Sequence, residues 1–219
     1  MRGLPLAASQ APLRRLLVIG AHSDDAEIGC GGTVLRILAE HPGVAVTWVV
    51  LAAAGEREAE ARASAEALLA DAAEARVIVG GLRDGFLPYL GPVTKDLFEE
   101  LKAQVDPDLV LTHQRNDLHQ DHRVACELTW NTFRDHLILE YEIPKWDGDL
   151  GAPNVFVPLP GDLASRKVDH LMNHFASQRS KRWFTRDVFQ GLMRLRGMEC
   201  ASDTGLAEAF YGRKLTLLP

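Results

Sequence analysis

The chain has 219 residues, 47% of them hydrophobic, which suffices for one sizeable core, and it is read as a single domain spanning 1–219. Its 24 Lys+Arg against 30 Asp+Glu leave a formal charge of −6, too little positive field to draw phosphate backbones or anionic lipid, so neither nucleic acid nor a membrane is an expected partner. Three widely spaced cysteines, Cys30, Cys126 and Cys200, form no Cys-x-x-Cys pair; this argues against a disulfide framework or a thiolate zinc site and fits a reducing cytoplasm.

Met1 to Gln10 carry one Arg and a short Leu/Ala stretch that Pro5 interrupts, too short for a signal-peptide core or a membrane span, and a frayed N-terminus is expected there. Leu16 to Gly20 is an apolar run of strand length, followed by a loop and by Thr33 to Ala39 at helical spacing. Val44 to Ala52 repeats the strand signature, Glu56 to Ala73 reads as an exposed helix, and Arg76 to Val79 as a third strand. Thr94 to Gln104 is a predicted helix, Pro107 to Thr112 a fourth buried strand and Arg123 to Asp135 a further helix. Repeated βα units with non-alternating apolar strands predict a Rossmann-like α/β fold, a mainly parallel sheet covered by helices on both faces. Beyond it, Leu137 to Ile143 and Val155 to Val157 read as short strands flanking the Gly/Pro-rich stretch Asp147 to Asn154, a small extra β lip. Leu163 to Ser177 and Arg186 to Leu195 read as helices. Arg179, Lys181, Arg182 and Arg186 form a basic cluster that is either solvated or a site for a substrate anion.

Two polar clusters interrupt this scaffold. His22-Ser23-Asp24-Asp25 follows the first strand, and His119-Gln120-Asp121-His122 follows the fourth. In such sheets ligands collect at the carboxyl ends of the strands, where both clusters fall. Each has a structural reading of its own: Asp24 or Asp25 could cap a helix starting near Glu27, and Asp121 could cap one starting at Arg123. Their pairing in one sheet favours a metal, since a catalytic zinc site takes three ligands from His and carboxylate and keeps a fourth position for water or substrate. Nitrogen and carboxylate without sulfur suit Zn²⁺, and Fe²⁺, Mn²⁺ or Co²⁺ can use the same donors.

At these residues the chain resembles the PIG-L or LmbE-like zinc-dependent N-deacetylases. Ala21 to Thr33 reads AHSDDAEIGCGGT, with Ser23 in place of the family's usual proline, and Asp117 to Arg123 reads DLHQDHR, the second signature. Ala207-Glu208-Ala209-Phe210 is similar to the closing motif. The resemblance implies that His22, Asp25 and His122 bind zinc, that Asp24 is the general base, and that His119, protonated and held by Asp121, donates to the oxyanion across the site. It implies removal of an acetyl group from an amino sugar, an N-acetylated sugar or glycoconjugate being the small-molecule partner. The family often places a substrate-contacting arginine where Arg57 stands; its other reading is a solvated partner of Glu60.

The competing reading is a Rossmann-type sugar-nucleotide binding module without hydrolase activity, with Gly29, Gly31 and Gly32 accommodating a phosphate. It is opposed by the carboxylates that fill the turn after the first strand. Asp84 in Leu82-Arg83-Asp84-Gly85 is a turn residue or a ligand for sugar hydroxyls. Asp117 could orient a ligand histidine, and His113 and Asn116 are expected on the rim. His41, His136, His170 and His174 fit surface or packing roles. Specificity is expected from the lip around Glu142 to Pro160, which a neighbouring subunit of a homo-oligomer could complete.

Overall fold

Strand β1 (Arg15–Gly20) is buried from its second residue on, and its side chains divide between two cores: Leu16 and Val18 face one, Leu17 and Ile19 the other. A strand apolar on both faces belongs in the middle of a parallel sheet covered by helices on each side. The computed structural model describes residues 13–216, so the expectation for Met1 to Gln10 lies outside the described residues. From β1 the chain continues through α1 (Asp25–Glu40), β2 (Ala45–Val50), α2 (Glu56–Leu68), β3 (Glu74–Val79), α3 (Gly91–Gln104), β4 (Leu109–His113), α4 (Gln120–Thr132) and β5 (Leu137–Tyr141). It closes with β6 (Val155–Pro158), α5 (Gly161–His174), α6 (Arg186–Glu199) and β7 (Ala207–Gly212).

Among the described residues the seven strands form one sheet in the order β3-β2-β1-β4-β5-β7-β6. The first five strands run parallel, while β7 pairs antiparallel with both β5 and β6. The expected β lip is therefore corrected: β6 is no separate sheet but the edge of the main one. It is joined there through β7, a strand the sequence reading did not identify. Ala207-Glu208-Ala209 has small residues and a carboxylate where a buried strand usually shows β-branched ones.

The limits of α2 and α1 differ from expectation. Helix α2 stops at Leu68, before Ala73, because the Ala73 N–H already donates to the Val44 carbonyl at 3.0 Å as the chain enters the sheet. Helix α1 starts at Asp25, well before Thr33, so Gly29, Gly31 and Gly32 lie inside it. A Cβ on Gly29 would stand 2.2 Å from the Tyr141 ring and one on Gly32 2.6 Å from Leu159. These glycines let α1 lie close against the sheet, and they form no phosphate-cradling turn.

Register brings the site together. Leu16, Leu17 and Val18 of β1 sit opposite Leu109, Val110 and Leu111 of β4, so the loops after both strands emerge side by side. The loops after β2 and β3 open on the same edge, the carboxyl end at which such folds bind ligands. No helix among the described residues is long and apolar enough to cross a membrane.

Candidate metal centre

After Gly20 the chain turns before α1, and the turn is set by Asp25, whose Oδ2 accepts the His22 N–H at 2.7 Å. The turn aims His22 back across the end of β1. Asp24 occupies the N-cap position of α1, yet its side chain makes no capping bond; Oδ1 instead accepts from Arg57 on α2 at 2.8 Å. The side-chain capping expected of Asp24 is therefore absent.

His22 Nδ1, Asp25 Oδ2 and His122 Nε2 form a nearly equilateral triangle. The first two atoms are 3.1 Å apart, the last two 3.3 Å, and the two imidazole nitrogens 3.2 Å. A tetrahedral zinc with bonds of about 2.0–2.1 Å spans its ligands by roughly 3.3 Å, so these three donors fit one face of such a site. All three side chains are at most 8% exposed, which leaves approach from the open edge only. The far nitrogen of each imidazole is also held: His122 Nδ1 by Asp117 Oδ2 at 2.9 Å, and His22 Nε2 by Asp121 Oδ2 and Asp84 Oδ1, each at 3.1 Å. Carboxylates on the outer nitrogens fix tautomer and ring orientation at metal sites generally.

Electrostatics agree with close packing of opposite charges. Burial alone would push Asp25 up, but His122, His22 and His113 hold it well below the usual carboxylate range. Burial likewise opposes charge on His22, but Asp25 and Asp121 keep its pKa well above 6.5. Asp24 goes the other way: burial, then its neighbour Asp25, raise it, and Arg57 only partly offsets them. A carboxylate raised in this way is the better proton acceptor.

His119, Asp121 and Arg57 stand differently from expectation. Helix α4 begins at Gln120, not Arg123, and its N-cap is His119, whose Nδ1 accepts the Asp121 backbone N–H at 3.2 Å. The Asp121 carboxylate does not hold His119. It turns to His22 and accepts the Gly85 N–H at 2.7 Å and the Leu87 N–H at 3.2 Å. Burial and the neighbouring His122 and His22 lower the His119 pKa, which favours a neutral ring over the protonated one expected; with Nδ1 an acceptor, its proton sits on Nε2. Arg57 leaves Glu60, which binds Ser177 instead, and bridges Asp24 to Asp84 Oδ2 at 3.0 Å. Asp84 stands in the turn that was expected, made by Gly85 at φ +79°, and the hydrogen bond from His22 brings its carboxyl down to about 2.

His113 is not on the rim. It is fully buried beneath the centre, its Nε2 accepting the Ala21 N–H at 2.9 Å and its ring stacked on His122 at 3.9 Å. Burial and His122 hold it neutral, its pKa brought down to about 4. Asn116 is exposed. His170 and His174 stack on each other on α5, as packing side chains. The sequence reading missed Lys145, which stands 3.1 Å from Asp117; in a loop without periodicity, nothing marked it.

This α/β sheet with His and Asp donors at its carboxyl edge defines a class, and the sequence agrees. Residues 17–133 match PIG-L, GlcNAc-PI de-N-acetylase, and the chain belongs to that family. No curated protein matches it. Among solved structures it is similar to the conserved protein TT1542 from Thermus thermophilus, at 22% identity and a TM-score of 0.73 over 95% of this chain and 98% of the other. It is similar to N,N'-diacetylchitobiose deacetylase from Pyrococcus horikoshii, at 22% identity and a TM-score of 0.65 over 90% of this chain and 83% of that one. GalB, the 4-carboxy-2-hydroxymuconate hydratase from Pseudomonas putida, shares the fold at 18% identity and a TM-score of 0.66, over 94% and 99% of the two chains.

Proposed function

We propose that this protein is a metal-dependent hydrolase that removes an acetyl group from the nitrogen of an amino sugar in a small glycoconjugate. Zinc is the expected ion, with Fe²⁺, Mn²⁺ or Co²⁺ able to use the same donors. The observation that carries the reading is the triangle of His22 Nδ1, Asp25 Oδ2 and His122 Nε2, beside a carboxylate, Asp24, that caps nothing and ligates nothing. Membership of a family described as a de-N-acetylase and the fold shared with a diacetylchitobiose deacetylase support the substrate class. Three free, buried cysteines support a cytoplasmic setting.

An ion held by His22, Asp25 and His122 would supply Lewis acidity and lower the pKa of a water from about 15.7 toward ~7. Asp24 then takes the proton of the water that attacks the amide carbonyl and returns it to the departing nitrogen. Arg57 holds Oδ1 of Asp24, which leaves Oδ2 to take the proton. His119, its proton on Nε2, donates a hydrogen bond to the oxyanion of the tetrahedral intermediate, and loss of such a donor typically costs ~10²–10³ in turnover. Asp121 and Asp84 keep the His22 proton on Nε2, and Asp117 keeps that of His122 on Nδ1.

The test is acetate release across a set of N-acetylated sugars, with zinc-loaded protein against metal-free protein. Metal-dependent release supports the reading; none from any substrate by the loaded protein removes it. The fold shared with GalB favours one second reading, addition of water to a carbon–carbon double bond by the same proton acceptor. Such a protein would hydrate an unsaturated acid in the same assay format and release no acetate.

A further inference from the structure

The loop between β5 and β6 carries a buried cation that the proposed chemistry does not use. The Lys145 side chain is 7% exposed and lies between two carboxylates, Asp117 at 0% and Asp149 at 4%. Its Nζ is 3.1 Å from Asp117 Oδ1 and donates a short hydrogen bond to Asp149 Oδ2. An ammonium taken out of water is costly unless it is paired and hydrogen-bonded, and here both partners belong to one assembly. Asp117 Oδ2 holds His122 Nδ1 at 2.9 Å, and Asp117 Oδ1 also accepts the His119 N–H at 2.8 Å. Asp149 Oδ2 accepts the Leu118 N–H at 2.7 Å, and the Asp149 carbonyl accepts from Gln114 Nε2 at 3.2 Å. The Lys145–Asp117, Leu118–Asp149 and Gln114–Asp149 contacts tie the loop to the 114–122 segment that supplies His119 and His122.

We propose that Lys145 is a positioning residue for the metal centre, fixing His122 through Asp117 and fastening the 142–154 loop to the same turn through Asp149. The inference rests on the metal-centre reading above. Lys145 touches none of the three donors and acts only through the carboxylate behind one of them. Without its charge, Asp117 keeps two N–H donors but loses the cation on Oδ1. A buried carboxylate in that condition is free to rotate, which loosens its hold on the His122 N–H. The Nε2 lone pair of His122 is then no longer aimed at the point His22 and Asp25 share. Trp146 and Leu150, 69% and 41% exposed, each adjoin a residue of the clamp, so the apolar surface they offer is fixed to the ligand-bearing turn.

The test measures Zn²⁺ affinity of the full-length protein by competition with a chromophoric chelator, with circular dichroism as the check on folding. Groups that support metal ligands typically contribute 10–100-fold to affinity, and K145M, one bond further out, should weaken binding by about tenfold. K145R, which keeps charge and donors, should recover most of that loss. D149N, which takes one of the two counter-charges from Lys145 but leaves the Lys145–Asp117 pair, should weaken binding less than K145M does. Should K145M fail to fold, K145Q, a donor without charge, is expected to show the same weakening. Tight wild-type binding with unchanged affinity in K145M or K145Q, or no recovery in K145R, overturns this inference and leaves the metal reading standing. Wild-type protein that binds no zinc overturns both.

Discussion

Arg57 and Asp24 meet at 2.8 Å across 33 residues of chain, joining the second helix to the turn after the first strand. Arg57 partly offsets the rise that burial and Asp25 impose on Asp24. In R57M that offset is lost, so the Asp24 pKa rises further. A base must be ionised to act, so the acid limb of the kcat/KM profile should move to higher pH. Turnover at neutral pH should also fall, by a part of the ~10²–10⁴ that a general base supplies. An unchanged profile with only KM raised would make Arg57 a substrate contact alone.

Asp24→Asn keeps the shape of the site and removes the proton acceptor. Metal content should stay at the wild-type level while kcat falls by about 10²–10⁴. H22A should lose the metal itself. Elemental analysis of both variants separates the roles, and an active D24N with full metal would take Asp24 out of the chemistry.

Asp121 offers a sharper discrimination. The family resemblance has it hold His119, yet its Oδ2 lies 3.1 Å from His22 Nε2. In D121N one of the two carboxylates that hold the His22 proton on Nε2 is gone and Asp84 is left alone, so the proton moves more readily to Nδ1, the nitrogen that faces Asp25 and His122. Metal affinity should therefore drop about 10–100-fold. If affinity is retained and only kcat declines, Asp121 serves His119 after all.

Much of this was legible because physics repeats over short windows. The unbroken apolar runs of β1 and β4 marked buried parallel strands, and the His/Asp clusters after them marked the ligand edge. The orientation of neighbouring side chains was not legible, because three residues' difference in where α4 starts rotates Asp121 away from His119 and toward His22. Nor was β7, whose Glu208 breaks the apolar signature of a buried strand. Its carboxylate is explained only by distant partners, Lys167 and the Gly32 and Thr33 N–H groups.

Glu208 gives a stability prediction. It accepts the Gly32 N–H at 2.9 Å, the Thr33 N–H at 2.6 Å and Lys167 Nζ at 2.5 Å, while Lys167 also donates to the Ile28 carbonyl at 2.6 Å. Ile28 and Gly32 are i and i+4 partners within α1, so the ion pair is built into that turn of helix. Both side chains are at most 5% exposed. E208A strands a buried ammonium and two N–H groups, and should cost about 3–5 kcal/mol in urea unfolding of the metal-free protein. A loss under about 1 kcal/mol would mean that water replaces the carboxylate at no great cost.

His170 predicts how stability depends on pH. Its Nε2 lies 2.8 Å from Ser64 Oγ, and that hydroxyl donates to Glu27 Oε1 at 2.5 Å, so Ser64 accepts the His170 N–H. A second proton on the ring is disfavoured first by burial, then by His174 stacked at 4.1 Å and by Arg166, which together bring the pKa from 6.5 to about 4. Because the folded value is the lower one, the unfolded chain binds the proton first as pH falls. The contribution of His170 is therefore complete above pH 6.5 and is lost progressively between 6.5 and 4. H170Q keeps a donor for Ser64 and cannot titrate. Between pH 7.5 and 5 the wild type should lose about 1 kcal/mol more than H170Q, or roughly 2–4 °C in Tm, after allowing for solvent screening of a partly exposed ring. Titrating groups remote from His170 are common to both proteins and cancel in the difference. Parallel Tm curves for the two would mean that His170 charges in place, with Ser64 and His174 yielding to it.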